Sequence, residues 1–258
     1  MSARLTVPES SRVIAMGSTE SGKSYLLKKF CLTRCPRAVI VDPMGEHSAD
    51  VPAGTKLYRV RTLDELRRTL QRAPREGSRW RVVALIPASF GPEIAKMLLP
   101  EVVEDHNAYS YHVRGMALYI EELDKFAPTF APEETQGLWR RGRHVGLSVH
   151  ATTQRPHGVS RSVTAMAGWW IICQTHEPAD VDYLAKVLPN EAMACVESLP
   201  WQWAVLFSPR TRVWYLLNRE HKVMRWGDPS HAHAHASAHV TPAPARAPNA
   251  APASALGD

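Results

Sequence analysis

The stretch that decides the fold is Gly17-Ser18-Thr19-Glu20-Ser21-Gly22-Lys23-Ser24. It fits G-x-x-x-x-G-K-[ST], the spacing of a phosphate-binding loop. The apolar residues Val13–Met16 lead into it, and Leu26, Leu27 and Phe30 mark one side of a helix that leads out. A strand, a glycine-rich turn and a helix N-terminus are the parts that such a loop needs. Glycines let the backbone wrap an anion while consecutive N–H groups point inward. The helix start adds positive dipole. In this pattern Lys23 reaches the β- and γ-phosphates of a nucleotide and the Ser24 hydroxyl holds Mg²⁺. All eight residues, Gly17 to Ser24, are candidate contacts to ATP. Glu20 puts a carboxylate close to those phosphates, so it must point outward or contact another group.

Outward from the loop, apolar runs alternate with helical patterns. Strands are expected at Arg12–Met16, Ala38–Val41, Arg81–Ile86, Met116–Ile120, Leu147–Ala151 and Gly168–Cys173. Leu63, Leu66 and Leu70 share a helical face behind a Thr62/Glu65 capping box. Pro92 and Pro132 suit first turns of helices, and Val181, Leu184 and Val187 follow Pro178. This alternation predicts an α/β fold with a mostly parallel sheet flanked by helices. Trp201–Phe207 and Val213–Leu217 flank a Ser-Pro-Arg-Thr turn and predict a C-terminal hairpin. Residues 228–258 are rich in Ala, Pro and His and poor in larger aliphatics, which predicts a disordered tail behind a domain spanning 1–227. The tail histidines His231, His233, His235 and His239 have no second shell and make a poor metal site.

Composition excludes several classes. The 258 residues are 45% hydrophobic and 22% charged, as in a soluble globular protein, and need no disulfide or metal to fold. The longest uncharged apolar run, Ala165–Cys173, is roughly half a bilayer span, so no transmembrane helix is expected. The N-terminus has no signal-peptide core. Cys31, Cys35, Cys173 and Cys195 form no CxxC pair, which fits a reduced cytosolic protein. Net charge is +6, and the tail contributes none of it; a basic folded part favours polyanion partners.

Three further segments carry chemistry. Leu118-Tyr119-Ile120-Glu121-Glu122 is an apolar strand ending in two carboxylates. One can bind Mg²⁺ through water and the other can polarise an attacking water. The division of labour among Glu121, Glu122 and Asp124 stays open at this level. Leu147 to Pro156 ends a strand in Gln154-Arg155-Pro156, where Gln154 can sense a γ-phosphate. Arg140-Arg141-Gly142-Arg143-His144 offers a guanidinium for a neighbouring subunit's nucleotide, with Arg143 the first choice and Arg140 the second. Arg155, Arg161, Arg67 and Arg68 are candidate contacts to nucleic-acid phosphates. Cys31 and Cys35, four apart with no nearby ligand pair, read as core packing or a harmless exposed thiol rather than a metal site.

Together these segments resemble the HerA/FtsK superfamily of DNA-pumping ATPases. Gly17–Ser24 matches its phosphate loop, Ile120-Glu121-Glu122 its acidic strand, Ala151–Pro156 its Gln segment, and Val41-Asp42-Pro43-Met44-Gly45-Glu46 its Asp-Pro-x-Gly-Glu segment. Arg143 to Val149 also resembles the stretch leading to the Gln strand. Departures are Glu20 in the loop and Glu121 where Asp is usual. The resemblance, over Arg12 to Leu188, implies a RecA-like (ASCE) core in a homo-oligomeric ring, usually a hexamer. It implies catalytic roles for Glu122, Glu121, Gln154, Arg143 and Arg140, with Ser24 and Glu121 at Mg²⁺ and ATP as the fuel. Double-stranded DNA is the implied partner. The short chain looks like the genome-packaging ATPases of tailless, membrane-containing icosahedral phages. Capsid-vertex or portal proteins would then be further partners. The implied location is the cytoplasm, the host's for a viral chain, or a packaging vertex of the virion. Alternatives are a phage assembly/export ATPase, which should carry a transmembrane segment after its motor, and a nucleotide-dependent interaction switch. A small-molecule kinase would leave Glu121-Glu122 and Gln154-Arg155-Pro156 unexplained.

Overall fold

The computed structural model describes residues 11–32, 35–46, 51–99, 115–220 and 222–227. The expected tail, 228–258, lies outside them. Ten strands form one sheet among the described residues: β1 (Arg12–Met16), β2 (Arg37–Val41), β3 (Lys56–Val60), β4 (Trp80–Ala84), β5 (Met116–Ile120), β6 (Leu147–Thr153), β7 (Trp169–Ile172), β8 (Ala204–Phe207), β9 (Trp214–Leu217) and β10 (Val223–Gly227). Their order is β10-β9-β8-β7-β1-β6-β5-β2-β4-β3. From β7 to β3 the pairing is parallel; β7 to β10 pair antiparallel. The expected α/β architecture with a C-terminal hairpin is the one observed.

The parallel strands read as unbroken apolar runs because both sheet faces are covered. Ile14, Met16, Val39, Leu118 and Ile120 face one core. It is closed by α2 (Leu63–Glu76), α3 (Gly91–Leu98), α5 (Glu133–Arg141), α6 (Arg161–Met166), α7 (Pro178–Ala185) and α8 (Asn190–Glu197). Val13, Ala15, Ile40, Ala117 and Tyr119 face the other core, where Leu26 and Leu27 of α1 (Lys23–Phe30) pack. A short helix, α4 (Leu123–Phe126), follows β5.

Local signals held well. The Thr62 hydroxyl caps α2 by accepting from Glu65 N at 3.1 Å, and the Glu65 carboxylate accepts from Arg61 N at 2.6 Å, one residue earlier than a reciprocal box predicts. Pro92 lies in the first turn of α3, whereas Pro132 stands at the N-cap of α5. Two strands are additions. β3 pairs with β4 alone and carries the exposed Lys56 and Arg59, as an edge strand does. β10 pairs with β9 through an irregularity between Val223 and Arg225.

Trp170 ties the hairpin to the helices. Its indole N–H donates to Thr164 O at 3.2 Å, and its ring packs on Tyr183 and edge-on to Phe207. Trp170→Ala should therefore cost about 3–5 kcal/mol of stability, measured by chemical denaturation. A cost under about 1 kcal/mol would contradict this packing role.

Candidate functional site

The site forms at the C-terminal edge of the parallel strands, where open α/β sheets place their ligands. The loop from Gly17 to Gly22 joins β1 to α1. Gly17 N donates to Thr153 O at 3.2 Å, and Ser18 N donates to Gln174 O at 2.8 Å. The loop is thus pinned to β6 on one side and to the end of β7 on the other. Gly17 has φ 150°, and a Cβ there would lie within 3.0 Å of Ser21 Oγ, Cys173 Cβ and Gln174 O. Gly22 has φ 91° and caps α1 in the left-handed region. These glycines are demanded by geometry. Ser21 is buried and Thr19 is exposed. Glu20 is exposed at φ 60°, and its backbone carbonyl accepts the Trp201 indole N–H at 3.2 Å.

Lys23 is buried, and its Nζ donates to Ser18 O at 3.1 Å, inside the loop. Burial lowers its pKa, and the neighbouring Glu121 carboxylate opposes that shift. Glu46 adds to the same opposition, which brings the Asp42–Glu46 segment toward Lys23. Asp42 is buried at the tip of β2; its Oδ1 accepts from Gly45 N at 2.9 Å, and Gly45 has φ 75°.

The strand order decides which groups meet. β6 lies between β1 and β5, so Gln154 reaches the loop: Thr19 Oγ1 donates to Gln154 Oε1 at 2.9 Å. The acids follow one strand further on. The Glu121 carboxylate accepts from Tyr119 Oη at 2.7 Å and from Thr152 Oγ1. Asp124 Oδ1 accepts from Thr153 Oγ1 at 2.7 Å. Glu122 has φ 58° and ψ 55°, a left-handed conformation, and pairs with the exposed Lys125 at 2.7 Å. Holding a non-glycine residue there costs about 1–3 kcal/mol, and such strain clusters at functional sites.

Arg143 and Arg140 lie elsewhere. They precede β6, at the N-terminal edge of the sheet, where Arg143 lowers the pKa of Arg12 after burial has done so. Arg140 pairs with Glu133 at 2.8 Å. Neither is brought to the phosphate loop of its own chain. Arg155 pairs with Glu177 at 3.2 Å, and Arg161 lies 4.2 Å from the centroid of the Tyr183 ring. Arg67 lines a groove of about 1180 Å³ between α2 and α3, and Arg68 is exposed nearby on α2.

Several site residues are not marked by the motifs. Thr152 and Thr153 hold two of the acids; the adjacent hydroxyls before Gln154 are their only sequence signal. Asp180, fully buried, accepts from His157 N at 3.0 Å and contacts His157 Nδ1 at 2.6 Å, which anchors the turn after Gln154. Cys173 lies behind the loop, and burial pushes its thiol up to about 12, so it stays neutral and unreactive. Among the described residues, no group of three or more His, Cys, Asp or Glu is arranged to hold a metal. Ser24 and Glu121 suit a cation that draws further oxygens from phosphates and water, as Mg²⁺ does.

No protein-family model matches the chain, and no curated protein matches it. Solved structures do. The genome packaging NTPase B204 from Sulfolobus turreted icosahedral virus 2, in complex with AMPPCP, superposes with a TM-score of 0.63 at 19% identity, covering 81% of this chain and 98% of that one. This chain has the B204 fold. The ATP-gammaS complex of B204 gives a TM-score of 0.62 at 19% identity, with 81% and 98% covered. B204 described as the DNA-packaging ATPase from Sulfolobus Turreted Icosahedral Virus gives 0.61 at 19% identity, with 85% and 100% covered. No helix among the described residues is long and apolar enough to cross a membrane.

Proposed function

We propose that this chain is a Mg²⁺-dependent ATPase that works in a homo-oligomeric ring, a hexamer, and drives double-stranded DNA into a viral capsid. The observation that carries the reading is the convergence of the Gly17–Ser24 loop, Gln154 and the Glu121–Glu122 strand tip on one sheet edge of a B204-like fold. B204 itself is a genome-packaging NTPase and has been seen with AMPPCP and ATP-gammaS.

In this reading the loop amides and Lys23 bind the triphosphate. Ser24 and Glu121 hold Mg²⁺, which when bound neutralises charge that builds on the phosphate oxygens. Glu122 orients water and accepts its proton. Gln154, tied to Thr19, reports whether a γ-phosphate is present. Arg143, with Arg140 beside it, acts across a head-to-tail contact. Such a contact sets the N-terminal sheet edge of one subunit against the C-terminal edge of the next, and it gives a ring when the rotation between subunits closes. A guanidinium arriving there stabilises transition-state charge only when the ring is assembled.

DNA contacts would be made to phosphates, by Arg67, Arg68, Arg155 and Arg161 among others. Fluorescence anisotropy with a long labelled duplex tests this. Affinity should fall by about 10³-fold or more between 50 and 200 mM salt and vary little with sequence. A flat salt titration would count against the DNA motor.

A further inference from the structure

Tyr119 interrupts an otherwise aliphatic strand and is fully buried, so its hydroxyl must find partners inside the protein. It finds two. Tyr119 Oη donates to Glu121 Oε1 at 2.7 Å, because residues two apart on a strand share a face. The Ser24 side chain bonds the same phenol oxygen, and because the single phenol proton already goes to Glu121, Ser24 is the donor. The second carboxylate oxygen of Glu121 is held by Thr152. His150, the register partner of Tyr119 on β6, is fully buried; burial lowers its pKa to about 3, so it adds no cation to this cluster.

We propose that Tyr119 is a positioning residue for the metal-binding pair: its hydroxyl passes one hydrogen-bond chain from Ser24 to Glu121 and sets the two groups as a unit. This rests on the ATPase reading above. A serine that gives its proton to Tyr119 turns its oxygen lone pairs away from that bond and leaves them for a cation. A glutamate has one more rotatable bond than the usual aspartate, and the Tyr119 and Thr152 hydroxyls remove that freedom. The relay also explains why a polar aromatic occupies a core position two residues before the acid.

The test is ATPγS binding to the full chain, titrated with Mg²⁺ and repeated in EDTA, for the unaltered protein and Tyr119→Phe. Tyr25→Phe is the control, since Tyr25 follows Ser24 but is 61% exposed. Tyr119→Phe keeps the ring and its packing. It should raise the Mg²⁺ concentration for half-maximal ATPγS binding about tenfold, the effect of one lost bond to a charged group. Affinity in EDTA should stay within about twofold, because the phenol meets the metal pair and not the loop amides. Tyr25→Phe should match the unaltered protein. An unchanged Mg²⁺ response in Tyr119→Phe overturns the proposal, as does an equal loss with and without Mg²⁺, which is a packing effect. If the unaltered chain fails to bind ATPγS with Mg²⁺, the ATPase reading fails first and this one falls with it.

Discussion

Glu122→Gln should bind ATP as the unaltered protein does and hydrolyse it about 10²–10⁴-fold more slowly, the range for loss of a general base. The amide keeps the volume and the left-handed backbone but accepts no proton from water. The other two acids are already hydrogen-bonded: Glu121 is held by Tyr119 and Thr152, and Asp124 by Thr153. Glu122 instead meets only a long lysine at the surface in the contacts observed, with the Lys125 side chain 60% exposed. Such a pair is worth little in water and yields readily to a better-placed partner. Phosphate release and ATPγS affinity, measured side by side, give the answer. Normal turnover in Glu122→Gln would show that another group activates the water.

Lys23→Ala should weaken ATPγS binding by about 10²–10³-fold, which corresponds to about 3–4 kcal/mol from two charge-assisted hydrogen bonds. Its ammonium is carried into a buried position and now satisfies Ser18 O, within the loop that would wrap the phosphates. The fold should tolerate the change, because burying a lysine costs free energy that alanine does not. Isothermal titration with ATPγS checks the affinity, and thermal melting without nucleotide checks the fold. Wild-type affinity in a folded Lys23→Ala protein would remove the loop from the binding site.

Much of this site was legible because its signals are local. The strand, loop and helix around Gly17–Ser24 are contiguous, and the capping box at Thr62 and the hairpin at Ser208–Thr211 are short-range too. The order of strands is not local. Only when β6 is inserted between β1 and β5 does Gln154 touch Thr19, with the acids one strand away. Edge strands were the weakest signals: β3 reads as Lys-Leu-Tyr-Arg-Val, with two of its five residues charged, because one side has no strand to cover it. Tyr119 reads as core from its neighbours, and its hydroxyl acquires meaning only when α1 lays Ser24 against the same sheet face. The Asp180–His157 contact spans 23 residues and has no motif at all. Arg140, in the last turn of α5, and Arg143, just after it, are contiguous in the sequence with β6, but their distance from their own loop is a property of the sheet's two edges.

The most direct measurement is steady-state phosphate release from ATP by the full chain with Mg²⁺, with and without long duplex DNA, at low and moderate salt. A translocating motor predicts turnover that duplex DNA stimulates severalfold, with the stimulation fading as salt rises. Turnover indifferent to duplex DNA at both salts would contradict it and favour an assembly ATPase or a nucleotide switch.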